Sequence, residues 1–137
     1  MKKGLYFVAP IFLMALLASA ADKPWTGTYA MEINPDNKET YEMFVEMEML
    51  WPEITLKEDG TFQLQKTEGN MKITGTYTVE GNTLTINAKD VDGHPPEGAY
   101  TKPYSTEFKD EFKILMFEGP DKDKWIKKEI NEAFLKK

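Results

Sequence analysis

From Ile54 to Ala88, apolar residues recur at every second position and the run is interrupted by three glycine-centred turns, Glu58-Asp59-Gly60, Glu68-Gly69-Asn70 and Glu80-Gly81-Asn82. Ile54 and Leu56 come first, then Phe62 and Leu64, then Met71, Ile73, Gly75, Tyr77 and Val79, then Leu84, Ile86 and Ala88. The opposite positions are mostly Thr, Lys, Gln and Glu. A period of two places successive side chains on opposite faces of a strand, so the run predicts four strands of an antiparallel meander with one buried face.

The alternation extends both ways. Trp25, Gly27, Tyr29, Met31 and Ile33 share one face of a first strand, with Thr26, Thr28, Ala30 and Glu32 on the other. Downstream, Tyr100, Tyr104, Thr106 and Phe108 alternate with Thr101, Ser105, Glu107 and Lys109, and Pro103 suggests an edge or a bulge. Phe112, Ile114 and Met116 follow the turn Lys109-Asp110-Glu111, and Trp125-Ile126 follow the breaker Gly119-Pro120. Eight strands with one apolar face and two open edges hide both by closing on themselves.

The segment from Asn34 to Trp51 carries two patterns. Asn34 or Asp36 as N-cap, Pro35 at the first helical position and the pair Asp36/Glu39 open a helix, Met43, Met47, Leu50 and Trp51 form one stripe of it, and Pro52 stops it. Tyr41, Met43, Val45, Met47, Met49 and Trp51 also alternate as a strand would. The start and stop signals, with Met and Glu as good helix formers, favour the helix. Ile126, Ile130, Ala133, Phe134 and Lys137 keep helical spacing, which predicts a short C-terminal helix from about Glu129 packed on the wall.

The N-terminal residues follow other rules. Lys2-Lys3, the apolar stretch Gly4 to Leu17 and Ala18-Ser19-Ala20 are the three parts of a secretory signal peptide, with cleavage expected before Ala21. Pro10 and the shortness of the run disfavour a membrane span, and no cysteine is present for a lipid anchor, so no stable membrane anchor is expected after cleavage. The 137 residues less this leader leave one domain over 21–137, destined for a secreted or periplasmic location. Losing Lys2 and Lys3 moves the net charge from −6 to −8, and all 17 basic residues are lysines. An acidic chain without a single guanidinium argues against nucleic-acid binding. With zero cysteines there are no disulfides, so the core alone must stabilise an exported fold.

Trp25-Thr-Gly-Thr-Tyr29, Leu56-Lys-Glu-Asp-Gly-Thr-Phe62, Gly75-Thr-Tyr-Thr-Val-Glu-Gly-Asn-Thr-Leu-Thr-Ile86 and Asp92-Gly93 resemble the small exported bacterial lipocalin-like, or calycin-type, domains over nearly the whole mature chain. The resemblance implies a mainly β, up-and-down antiparallel eight-stranded lipocalin-like barrel, with a helical lid after the first strand and a hydrophobic ligand in the cavity of many members. The family hallmark is Gly-x-Trp on the first strand, covered by an Arg from the last. Here Gly27-Thr28-Tyr29 stands at that position, and Lys127 or Lys128 is the only basic substitute.

Catalytic chemistry is thinly represented, and no enzymatic activity is expected. His94 is the sole histidine and lies in the turn-like Asp92-Gly-His-Pro-Pro96, so with no cysteine only an unusual arrangement could supply a nucleophilic triad. Glu39, Glu42, Glu46 and Glu48 read as a solvated helix face. Met43, Met47 and Met49 supply thioethers of the kind that select Cu(I), but adaptable packing explains them more simply. Asp90-Val-Asp92-Gly93 begins like a calcium loop yet has Thr101 where the closing Glu belongs. No metal or cofactor is expected, and Asp121-Lys-Asp-Lys124 reads as a solvated turn.

Two functions fit this sequence. In the first, an exported barrel holds a small, largely apolar ligand: inward-facing Tyr29, Phe62, Tyr77, Tyr104 and Phe108 line its cavity, and the helix bearing Met43 and Met47 closes the mouth. In the second, the barrel is a solid scaffold, and a protein partner or inhibitory target meets the helix or the rim loop Asp90 to Ala99. Eight strands enclose either a filled core or room for one small ligand. Large inward residues favour the first outcome, whereas Gly27, Gly75 and Ala88 leave room, and the sequence contains both.

Overall fold

Each strand pairs antiparallel with the next in chain order, and the last pairs with the first, in the computed structural model, which describes residues 23–66, 70–117 and 124–136. The strands are β1 (Gly27–Met31), β2 (Glu53–Leu56), β3 (Thr61–Gln65), β4 (Lys72–Glu80), β5 (Thr83–Val91), β6 (Tyr104–Lys109), β7 (Ile114–Met116) and β8 (Lys124–Lys127). Helix α1 (Lys38–Glu46) links β1 to β2, a 3₁₀ turn (Gly98–Thr101) precedes β6, and α2 (Lys128–Leu135) follows β8. Tyr29 closes the ring, standing opposite Ile54 of β2 on one side and Lys127 of β8 on the other. The fold is therefore the mainly β closed barrel expected from the alternation, with a helix after the first strand and another at the C-terminus. The expected leader over 1–20, Glu68-Gly69, Gly119-Pro120 and residues 121–123 lie outside the described residues.

Connection length separates the two ends of the barrel. At one end sit the short β2–β3, β4–β5 and β6–β7 turns, together with the residues entering β1. At the other end sit α1 and the long β5–β6 loop, with the last residues of β3 and β7 and the first of β4 and β8. The inward side chains form one core that includes Tyr29, Ile54, Leu56, Phe62, Leu64, Ile73, Tyr77, Leu84, Phe108, Leu115 and Trp125. A second cluster, Ala30, Ile33 and Trp51, gathers Tyr41 and Phe44 of α1 and Phe134 and Leu135 of α2.

That second cluster corrects several face assignments. Ala30, expected on the polar face of β1, is buried, because the second cluster covers the outer side of the strand here. On α2 the buried residue is Asn131 rather than Ile130, which is exposed. The Asn131 side chain accepts from the Ile33 amide (2.8 Å) and donates to the Met31 carbonyl (3.1 Å), so it satisfies the backbone where β1 ends.

Helix α1 is shorter than the stripe to Trp51 implied. Glu48 is left-handed (φ 55°), the Met49 amide bonds the Phe44 carbonyl (2.8 Å) and the Glu48 amide bonds that of Val45 (3.2 Å). This is a Schellman stop with Glu in the position glycine usually takes. In β7, Leu115 faces the core and Ile114 and Met116 do not, the reverse of the expected parity. Asp110, Glu111 and Phe112 are all left-handed (φ 52°, 54° and 68°), so the turn runs on to Lys113 and shifts the strand by one residue.

Candidate functional site

The short-turn end is closed by rings. Trp25 lies 5.9 Å from Phe112 between ring centroids, Phe112 lies 5.1 Å from Phe108, and Phe108 lies 5.7 Å from Tyr29. The Tyr29 hydroxyl is 2.7 Å from the Phe112 carbonyl and 3.0 Å from that of Trp25, tying β1 to the strained β6–β7 turn. Burial, with Tyr77 and Glu129 adding to it, pushes the Tyr29 phenol far above its ordinary range. Tyr77 donates to the Lys57 carbonyl (2.6 Å), and burial raises its pKa too.

Lys127 covers this end from outside. Its Nζ lies 4.7 Å from the Tyr29 ring centroid and donates to the carbonyls of Pro24 (3.2 Å) and Thr26. A cation from the last strand thus sits on the aromatic ring of the first and clasps the chain entering it. Partial burial lowers the Lys127 pKa, with Glu129 opposing the shift. Gly27 lies under this clasp: it is exposed with φ 121°, and a Cβ there would meet the lysine Nζ at 3.2 Å.

The long-loop end is hollow. A cavity of about 330 Å³ lies inside it, walled by Phe62, Leu64, Ile73, Ile86, Ala88, Phe117 and Trp125, with Lys66, Ala99, Tyr100, Lys102 and Tyr104 also lining it. Lys66 approaches the Tyr100 hydroxyl (3.4 Å) and lies 5.5 Å from the ring centroid, while that hydroxyl donates to the Met71 sulfur (3.6 Å). Tyr104 stacks on Phe117 (5.9 Å, 8° between planes), and Phe117 lies 4.5 Å from Trp125. Trp125 is 6 % exposed, and its indole Nε1 is buried with no hydrogen-bond partner among the described residues.

Of the residues expected to line a cavity, Phe62 and Tyr104 do so. Tyr29 and Phe108 belong to the closed-end aromatic cluster, and Tyr77 is buried beside the β2–β3 turn, outside the cavity lining. Met43 and Met47 are 48 % and 62 % exposed and do not line it. The side of α1 that packs is Tyr41 and Phe44, both edge-on to Trp51 at 5.2 and 5.3 Å, so the Met-rich lid is corrected to an aromatic contact outside the barrel. Gly75 does not leave room. A Cβ there would stand 2.0 Å from the Asn87 carbonyl oxygen and 2.9 Å from Phe62, so its missing side chain admits the neighbouring strand and the Phe62 ring.

The cavity residues that sequence reasoning missed were within reach. Leu64, Ile73, Ile86 and Ala88 have inward parity, and their separation from the short turns places them at the hollow end. The remaining candidates take structural roles. Asp90 accepts from the Gly93 amide and Asp92 from that of Lys72, each at 2.8 Å, so both carboxylates hold turns. His94 is exposed and pairs with Val91 through the backbone. No cluster of three or more His, Asp or Glu suited to a metal occurs among the described residues. No family model, curated protein or solved structure matches the chain.

Proposed function

We propose that this chain is an exported binding protein of lipocalin-like type that holds a small, largely apolar ligand in the hollow end of its barrel. The observation that carries the reading is the 330 Å³ cavity walled mainly by aliphatic and aromatic side chains, at the end opposite the aromatic closure. A space of that size is at the lower end of the range of small-molecule sites, roughly 300 to 1,000 Å³. The Lys127–Tyr29 clasp supports the family reading, since a last-strand cation covers the first-strand aromatic as the lipocalin hallmark requires, with Lys for Arg and Tyr for Trp. The reading assigns the protein no catalytic activity, cofactor or nucleic-acid partner. Export rests on the N-terminal charged, apolar and small-residue pattern.

Native mass spectrometry of the protein purified from its own host, followed by extraction of bound material, tests both parts. A stoichiometric small apolar molecule on a chain shortened by 20 residues is expected. Repeated absence of any ligand, together with no thermal shift against a panel of hydrophobes, contradicts the container. An unshortened chain contradicts the export. The scaffold reading is favoured by one observation, the exposed Met43, Val45 and Met47 on α1, and a stable protein partner in the absence of a small ligand would establish it.

A further inference from the structure

The chain contains no cysteine, so methionine carries all of its sulfur and two-electron oxidants meet thioethers, never a thiol. A thioether reacts through a sulfur lone pair, so reactivity follows exposure of the sulfur. Met43 and Met47 are 48 % and 62 % exposed, whereas Met31, Met49, Met71 and Met116 are half-buried. Met31 packs against both apolar clusters, and Met71 packs on the core with its sulfur accepting the Tyr100 hydroxyl at 3.6 Å. Adaptable packing, the simpler reading of the Met-rich segment, does not apply to Met43 and Met47, because Tyr41 and Phe44 are what hold α1 to the outer cluster. The Met47 amide donates to the Met43 carbonyl at 2.9 Å, the helical bond that sets the two side chains one turn apart on one face. With Val45 and Ile130 they are the exposed large hydrophobics among the described residues.

We infer that Met43 and Met47 form an oxidation site, which hydroperoxides convert to a pair of sulfoxides ahead of the other described methionines, turning the apolar outer face of α1 polar while the fold stays intact. In the reaction a sulfur lone pair attacks the terminal peroxide oxygen. An S–O bond forms, the O–O bond breaks, and the sulfur gives up two electrons. The leaving hydroxide takes the remaining hydroxyl proton and departs as water. Sulfoxide reductases reverse the change, so the face can be switched back. At Met43 and Met47 the new S–O dipole forms in water and costs no desolvation, unlike the same oxygen added to packed Met31 or Met71. Neither residue lines the cavity, so the site is independent of the container reading.

Timed treatment of the folded protein with limiting hydrogen peroxide, followed by tandem mass spectrometry of its peptides, locates each added oxygen. Met43 and Met47 are expected to react ahead of Met31, Met49, Met71 and Met116, and in urea, where exposure is equalised, all of them are expected to react alike. The intact wild type should take up two oxygen atoms in a fast phase that a Met43→Leu/Met47→Leu variant lacks. The doubly oxidised protein should keep its Tm within about 2 °C of the untreated one, the scale of a surface change in a domain of this size. Oxidation of any of the other four as fast as Met43 and Met47 overturns the site, as does a fast phase that survives in the variant. A larger fall in Tm on oxidation of the pair overturns the claim that the fold is untouched. Should the double variant not fold, the order of oxidation in the wild-type peptides decides alone.

Discussion

Gly75→Ala adds a single methyl group and should be among the most damaging small substitutions in the barrel. The new Cβ would lie 2.0 Å from the Asn87 carbonyl oxygen, 3.0 Å from Ala88 Cα and 2.9 Å from Phe62 Cε1. Two of these three atoms are backbone of β5, at the point where the β4–β5 register already shifts between Thr74 and Gly75. Side-chain rotation cannot relieve them, so the strands must separate locally. Overpacking of this kind costs about 1–3 kcal/mol, and the backbone contacts place it in the upper half. Alanine also restricts the unfolded chain, which returns about 0.4–1 kcal/mol. The net loss is about 2 kcal/mol, or about 8 °C in Tm at roughly 4 °C per kcal/mol for a domain of this size. Differential scanning calorimetry of the wild type, Gly75→Ala and a Gly75→Ala/Phe62→Leu double variant reads it. Because the shortest contact is with Asn87 backbone, trimming Phe62 should not restore stability. A Gly75→Ala Tm within 2 °C of wild type, or full recovery in the double variant, would refute the close-approach argument.

Other substitutions probe the closed end and the outer cluster. Tyr29 and Tyr77 have raised pKa values, so both favour the neutral form in the fold; their contribution is intact below the unfolded value of 10.0 and is lost as pH rises above it. Tyr29 alone should remove about 1.4 kcal/mol by pH 11, with Lys127, whose pKa is lowered, partly offsetting this, and Tyr29→Phe should flatten the alkaline limb of urea-unfolding stability against pH. The same variant at pH 7 should lose about 1 kcal/mol with the bond to the Phe112 carbonyl. Lys127→Met should cost about 1–2 kcal/mol in urea unfolding and Lys127→Arg much less, since only the arginine keeps a cation on the Tyr29 ring. Asn131→Ala leaves the Ile33 amide and the Met31 carbonyl without their partner and should lower stability by about 2–3 kcal/mol in the same assay, with faster hydrogen exchange at the Ile33 amide.

The barrel was legible because its information is local. Alternation from Ile54 to Ala88 and the Asp-Gly and Gly-Asn turns state strand, face and hairpin within a few residues. What failed was information carried by other elements or by unusual backbone. Ala30 has outward parity, and only contact with an outer cluster formed from sequence-distant residues buries it. Glu48 ends α1 in a conformation that glycine normally announces, and the consecutive left-handed residues Asp110, Glu111 and Phe112 moved β7 by one position without a glycine to mark them. The cavity was half legible for a related reason. Parity identifies inward residues but does not say which of them border the cavity, so Tyr29 and Phe108 were grouped with Phe62 although only Phe62 lines it. The lengths of the connections carry that missing coordinate.

The central claim, that the hollow end holds an apolar ligand, is tested most directly by filling it. Ala88 lines the cavity, and Ala88→Phe would place a ring in the space available to a ligand. Calorimetric titration with butylbenzene should give one site per chain in the wild type and no measurable binding in Ala88→Phe, with circular dichroism confirming that the variant remains folded. Equal binding by the two proteins, or no binding by the wild type, would contradict the account.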